Sequence, residues 1–223
     1  RIYMDYQAST PVDPRVIEAM RPYLGDKPGN PHGEHAFAWE AHAAIDRATQ
    51  QIATELGCDA DEVVFTSGAT ESNNLAILGA AARAPSNRKR ILISAIEHKC
   101  VMEAAAAAGR RHGMTIETLP VDGEGLVSIQ ALKDRLAEDV LLVSIMAANN
   151  EIGTMQPISA LAAASHDHGA IFHSDGTQAL SAGRIEVFAQ AVDLMSLTAH
   201  KVYGPKGIGA LYVSREYRSR LEQ

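Results

Sequence analysis

The stretch VVFTSGATESNNLAILGAAAR, Val63 to Arg83, holds three elements in immediate succession. Val63 to Thr66 is a short apolar run of the kind found in buried strands. Ser67-Gly68-Ala69-Thr70 is a tight turn, and the chain beyond it is helical to about Arg83. A buried strand feeding a helix through a glycine turn is the unit from which α/β sheets are built.

Outward from this unit the pattern repeats. Upstream, Asp13-Pro14 is a capped helix start with proline in the first turn, and that helix runs to about Leu24. Pro28 to His35 carries glycine, asparagine and two prolines and reads as a loop, and Ala36 to Leu56 is a long helix closed by Gly57. Downstream, strands are expected at Ile91–Ala95, Thr115–Leu119, Val140–Met146, Ala170–Ser174, Asp193–Thr198 and Ile208–Val213. Helices are expected between them at Val101–Arg111, Ser128–Leu136 and Ile158–Ser165. Short apolar strands separated by helices predict a mostly parallel sheet with helices on both faces.

Composition narrows the function. The 223 residues suffice for a sizeable core, and 46% hydrophobic content is that of a globular chain. A net charge of −7, with no block of like charge, argues against nucleic acid or a membrane surface as partner. The longest apolar run, near Val140 to Ala148, is too short to span a bilayer. The chain opens on Arg1 without a charged-then-apolar leader, and its two cysteines, Cys58 and Cys100, lie far apart. The expectation is a cytoplasmic protein in a reducing compartment.

In an open α/β sheet, ligands sit outside the carboxyl ends of the strands. There the sequence delivers Ser67-Gly68-Ala69-Thr70, Glu97-His98, Asn149-Asn150-Glu151, Asp175 with Gln178, and Thr198-Ala199-His200-Lys201. A phosphate-friendly turn, an imidazole, an amide, a carboxylate and an amine suit a flat, anionic, nitrogen-containing cofactor. The helix opening at Ala69 offers free N–H groups to a phosphate, and Thr70, Thr198 and His200 add donors. Asp175 is placed to keep a pyridine nitrogen protonated, and Gln178 to meet a ring hydroxyl. Lys201, followed by the Gly204-Pro205-Lys206-Gly207 turn, is an amine able to form a Schiff base once partly desolvated.

These residues resemble the class V, fold-type I pyridoxal-phosphate enzymes, and among them the cysteine desulfurases of the NifS/IscS type. The resemblance rests on YMDYQASTPVDPRV near the start, GNPHGEH at Gly29, VVFTSGATESNNLAI at Val63 and EHK at Glu97. It continues through VSIMAANNEIGTMQPI at Val143, HSDGTQ at His173 and HKVYGPKGIGALYV at His200. It implies a seven-stranded, mostly parallel large domain over residues 1–223, binding pyridoxal 5′-phosphate. By position it implies Lys201 as the Schiff-base lysine, His98 as the ring-stacking acid/base, and Asp175 and Gln178 against the ring. Ala69, Thr70, Thr198 and His200 would hold the phosphate, with Asn150 beside cofactor and substrate. The implied activity converts L-cysteine to L-alanine and a protein-bound persulfide, in a homodimer serving a sulfur acceptor or Fe–S scaffold protein. A selenocysteine lyase, or a scaffold that keeps the fold without turnover, are the alternatives. The family's small C-terminal domain, with its nucleophilic cysteine and carboxylate-binding arginine, lies outside these residues.

The chain departs from the family at Ala199 and Gly176, where glycine and alanine are usual, and at Thr198 in place of serine. Ala199 matters if its backbone needs positive φ, and Gly176 is expected to loosen its turn. HGEH at His32–His35 and His166-Asp167-His168 lack the flanking ligands of a zinc site, so no metal is expected. Gly204–Gly209 has no following GK[ST] and is not a nucleotide loop. Cys100 is assigned to apolar packing at a helix start, Cys58 to structure, and Trp39 to the core or a subunit contact.

Overall fold

A computed structural model of the chain describes residues 1–183 and 185–222. Seven strands form one sheet: β1 (Val63–Thr66), β2 (Arg90–Ser94), β3 (Thr115–Leu119), β4 (Val140–Ser144), β5 (Ile171–Asp175), β6 (Leu194–Thr198) and β7 (Gly209–Val213). Their order is β1-β7-β6-β5-β4-β2-β3. Neighbours from β3 to β6 are parallel, while β7 runs antiparallel to both β6 and β1. β1 therefore points the same way as the parallel strands. The carboxyl ends of β1, β2, β4, β5 and β6 share one rim.

The helices are α1 (Pro14–Leu24), α2 (Ala36–Leu56), α3 (Ala69–Ala82), α4 (Lys99–His112), α5 (Ile129–Lys133), α6 (Ile158–His166) and α7 (Ala179–Ala182). Every residue of β4, β5, β6 and β7 is buried, as both faces of a covered sheet require. One core packs Phe172, Met195 and Tyr212 against Leu56, Leu132 and Leu161 from α2, α5 and α6. The opposite core packs Leu142, Leu194 and Leu211 against alanine-rich faces of α3 and α4, including Ala76, Ala80, Ala105 and Ala108. Neighbouring residues of one strand thus serve opposite cores, Leu194 one and Met195 the other. Among the described residues no helix is long and apolar enough to cross a membrane.

Boundaries follow local chemistry where a cap is available. Asp13 accepts the N–H of Arg15 at 2.8 Å, Gly57 closes α2 in the left-handed region at φ 67°, and Ser128 accepts the N–H of Ala131 at 3.3 Å. Several ends differ from expectation, and two of the differences shape the site. α4 begins at Lys99 rather than Val101 because His98 itself is the N-cap. β4 ends at Ser144 rather than Met146 because β2 has turned away, and the N–H of Met146 goes to the side chain of Glu97 instead. α5 is shorter than expected, its last residues passing into a turn in which Leu136 N–H still reaches Leu132.

Gly176 does not loosen its turn. A Cβ there would stand 2.9 Å from Met195 Cγ and Sδ, so the missing methyl lets a core side chain close against the end of β5. Trp39 is 64% exposed and is not part of the core of this chain. Among the described residues the non-glycine positions with positive φ are Ala191 and Tyr203, so Ala199 needs no such backbone. Its methyl lies where a side chain at Gly204 would clash, at 2.6 Å, which ties the two positions together.

Candidate active site

At the shared rim the strand ends enclose a cavity of about 680 Å³. Ala69, Thr70, His98, Asn150, Asp175, Gln178, Thr198, His200 and Lys201 all line it. They come from the ends of β1, β2, β4, β5 and β6, brought together by the sheet alone.

One end suits an anion. α3 opens with Gly68 as N-cap, at φ 151° and with no side chain to occupy the first-turn N–H groups. Gly68 can lie close because Gly209, at the start of β7, is also bare. A Cβ on Gly209 would meet Leu197 O and stand 2.7 Å from Gly68 Cα. Thr198, buried at the end of β6, faces the same space, with Thr70, His200 and Lys206 around it.

The opposite wall is a carboxylate held by donors. Asp175 is only 4% exposed; its Oδ2 accepts from Asn73 Nδ2 at 2.8 Å and its Oδ1 from the N–H of Thr177 at 3.0 Å. The hydroxyl of Thr177 is buried in the cavity wall without a hydrogen-bond partner. A buried orphan hydroxyl beside a buried carboxylate suits a ligand with a polar ring edge.

Lys201 lies on a single 3-10 turn, Ala199–Lys201, directly after β6. Burial lowers its pKa, while the nearby charge of Asp175 acts in the other direction. The N-terminal segment clamps the lysine loop: Thr10 N–H donates to His200 O at 2.8 Å, Tyr203 N–H to Thr10 Oγ1 at 2.7 Å, and Asp13 N–H to Tyr203 O at 2.9 Å. His200 sits 3.3 Å from Ser9 Oγ, its pKa lowered first by burial and then by Lys201 and Lys206.

His98 caps α4 by accepting the N–H of Cys100 at Nδ1, 3.2 Å away. Gln178 donates to Gln7 O at 2.8 Å, which tethers it to the N-terminal segment. Asn150 reaches the cavity from a turn built by its neighbour. Asn149 donates to Ile96 O at 3.0 Å and accepts from Glu151 and Ile152 N–H.

Several site residues escaped the sequence reading. Cys100 is not mere packing: it lines the cavity, 3.0 Å from His98 Nδ1. Asn73 and Glu97 are buried supports behind the wall, and Gln7 and Ser9 close it from the far end of the chain. The sequence does place Glu97 beside His98 at the strand end and Cys100 two residues after it, but no local signal marks Asn73, Gln7 or Ser9. Three of the four histidines weighed as metal ligands have other contacts. His35 caps α2, His166 pairs with Asp193 at 2.8 Å, and His168 Nδ1 lies 3.3 Å from Ala164 O.

A rim of this kind, with an uncapped helix start, a buried carboxylate and a desolvated lysine on a parallel sheet, defines a cofactor-dependent α/β enzyme domain. Residues 2–223 match the aminotransferase class-V family, and the chain belongs to it. Over 222 residues it is 47% identical to the cysteine desulfurase IscS of Rickettsia rickettsii (strain Iowa), covering 99% of this chain and 54% of that protein. To the mitochondrial cysteine desulfurase of Drosophila melanogaster it is 44% identical over 222 residues, 99% of this chain and 48% of that one. Among solved structures, one described as SspA in complex with cysteine superposes with a TM-score of 0.94 at 40% identity, over 100% of this chain and 64% of that one. A NifS-like protein superposes at 0.93 and 35% identity, over 96% of this chain and 59% of that one. The chain spans about half the length of the curated relatives it matches. Enzymes of this family depend on pyridoxal phosphate. The uncapped start of α3, the donor-held Asp175, the orphan Thr177 hydroxyl and the desolvated Lys201 fit that group.

Proposed function

We propose that residues 1–223 are the cofactor-binding large domain of a cysteine desulfurase, acting on L-cysteine to give L-alanine and a protein-bound persulfide. One observation carries the reading: a half-buried Lys201 shares a cavity with a buried Asp175 and an uncapped helix start, in a chain 47% identical to a cysteine desulfurase.

Pyridoxal 5′-phosphate, when bound, supplies an aldehyde and an electron-withdrawing ring. On this reading the N–H groups of Ala69 and Thr70, with Thr198 and His200, hold its phosphate. Asp175 would pair with its ring nitrogen, and Gln178 would hydrogen-bond its ring hydroxyl. Lys201 would anchor it, and burial, which lowers its pKa, favours the neutral amine needed to bond the aldehyde and to accept and return a proton. His98 offers a second proton site from α4, and Asn150 lies on the substrate side.

Neither described cysteine is an activated thiol. Burial pushes Cys58 up to about 11 and also raises Cys100, so both stay protonated near neutral pH. The thiolate that takes sulfur from the substrate's Cβ–Sγ bond is therefore assigned to a further small domain, together with a carboxylate-binding arginine.

A homodimer is part of the same proposal. No residue of α1 is buried, and Met4, Leu24, Phe37 and Trp39 expose apolar surface that a second copy would cover. The partner in sulfur transfer would be an acceptor or Fe–S scaffold protein. Two free thiols suit the cytoplasm, and a net charge of −7 offers nothing to nucleic acid.

The test is to supply L-cysteine and, separately, L-selenocysteine with pyridoxal phosphate to the full-length protein that carries the small domain, measuring alanine and persulfide. Alanine and persulfide from L-cysteine are expected. Turnover of selenocysteine alone would make it a selenocysteine lyase, and cofactor binding without turnover a scaffold; either result overturns the proposal.

A further inference from the structure

Asn73 is fully buried in the first turns of α3. Its Nδ2 donates to Asp175 Oδ2 at 2.8 Å and to Cys100 Sγ at 3.1 Å. An amide nitrogen carries two hydrogens, so both bonds form together. With a sulfur lone pair taken by Asn73, the thiol of Cys100 turns its own hydrogen toward His98 Nδ1, 3.0 Å away. The backbone N–H of Cys100 is aimed at the same nitrogen. Two donors thus converge on Nδ1. The direction of the chain is fixed at its far end, because an Asp175 carboxylate can only accept.

We propose that Asn73 and Cys100 are positioning residues that hold His98 with its ring proton on Nε2, so that a neutral His98 presents a donor to the cavity.

The tautomer of a histidine is set by what its other nitrogen bonds to. Burial raises the pKa of Cys100 and keeps the S–H in place as donor. The other titratable groups lining the cavity are Glu71, Asp175, His200, Lys201 and Lys206, with Glu97 next to His98 in the chain. Substitution at Cys100 leaves all of them in place, and of these Lys201 and Asp175 interact electrostatically with Cys100. The inference builds on the acid/base role proposed for His98, yet its readout involves no turnover. It can fail while the desulfurase reading stands, and the reverse.

The experiment is isotope-edited NMR of the histidine ring nitrogens in the protein, with and without pyridoxal phosphate, His98 being assigned by its loss in His98→Gln. The native protein should show the Nε2–H tautomer. Cys100→Ala should shift the tautomer ratio toward Nδ1–H by about three- to tenfold, the worth of one neutral hydrogen bond. Cys100→Ser, whose hydroxyl donates from nearly the same place, should restore the native ratio. Asn73→Ala should move it the same way by less, and the double variant no further than Cys100→Ala alone, since the two act in series. A native Nδ1–H tautomer, or a ratio unmoved by Cys100→Ala, overturns the proposal. If Asn73→Ala does not fold, the Cys100 variants decide it.

Discussion

The carboxyl of Glu97 accepts the backbone N–H of Met146 at 2.7 Å, and so stands in for the strand that β4 loses when β2 turns away. The same oxygen takes the hydroxyl of Ser94 at 2.7 Å, while Oε2 is buried without a partner. One side chain thereby joins the loop that carries His98 to the loop that carries Asn150.

This acid should cost stability as pH rises. Burial pushes Glu97 up to about 8 from its ordinary 4.5, with the charge of Asp175 adding to the effect. The unfolded chain gives up this proton near 4.5 and the folded one only near 8, so folding stability falls between those values and levels off above. Glu97→Gln keeps the accepting oxygen and removes the titration. Its melting temperature should exceed the native one by an amount that grows from about pH 5 to about pH 8, reaching several degrees. A difference that is constant with pH would refute this. Glu97→Ala should destabilise at every pH, having lost the latch itself.

The approach of Gly209 to Gly68 makes a steric prediction. In Gly209→Ala the methyl has Leu197 O and the backbone of Gly68 in its path, so the turn before α3 must move. Overpacking of this kind costs about 1–3 kcal/mol. Chemical denaturation should register that loss, and equilibrium binding should show weakened affinity for pyridoxal phosphate. Native affinity in a correctly folded Gly209→Ala would separate this turn from the phosphate.

Asp175 and Lys201 are distinguished by different measurements. Borohydride reduction should fix the cofactor on Lys201, and peptide mapping that found it on Lys206 would remove Lys201 from its role. Asp175→Ala should weaken cofactor binding by about tenfold, the scale of one charge-assisted hydrogen bond. Turnover at saturating cofactor should fall further, by more than about a hundredfold, because the lost charge acts on the transition state. Equal losses in both would make Asp175 a binding group only.

A partly buried pair supplies a second pH test, of opposite origin. Asp193 holds His166 protonated above its ordinary 6.5. A raised folded pKa means the pair stabilises fully below 6.5 and loses that contribution as pH rises through the folded value. The native protein should therefore exceed His166→Gln in stability at about pH 6 by up to about 1 kcal/mol, after screening of a partly exposed pair. The gap should narrow by about pH 9. Urea denaturation at both pH values would show whether it does.

The sequence was most legible where a local signal has a local cause. Asp13, Gly57 and Ser128 act on N–H or C=O groups a few residues away, and the helix boundaries they set were read within a residue. The placement of Lys201 and Asp175 in one cavity was legible because a parallel sheet delivers every strand end to one rim. What escaped were contacts made across the chain. Nothing near Glu97 announces that its partner is Met146, 49 residues on, or near Cys100 that Asn73 lies beside it. Trp39 reads from its helix as core or a subunit contact, and only the three-dimensional packing shows its face left bare in this chain.

The grip of Thr10 on the lysine loop also dictates an order of assembly. Its hydroxyl donates to His200 O across 190 residues of chain, so this contact forms only after the lysine loop has followed it from the ribosome. Lys201 stays on an unheld loop until β6 has joined the sheet and the amino-terminal segment has folded back over it. Closure across such a separation is slow next to helix formation. A nascent chain would thus capture its cofactor late, after the sheet that supports the site is complete.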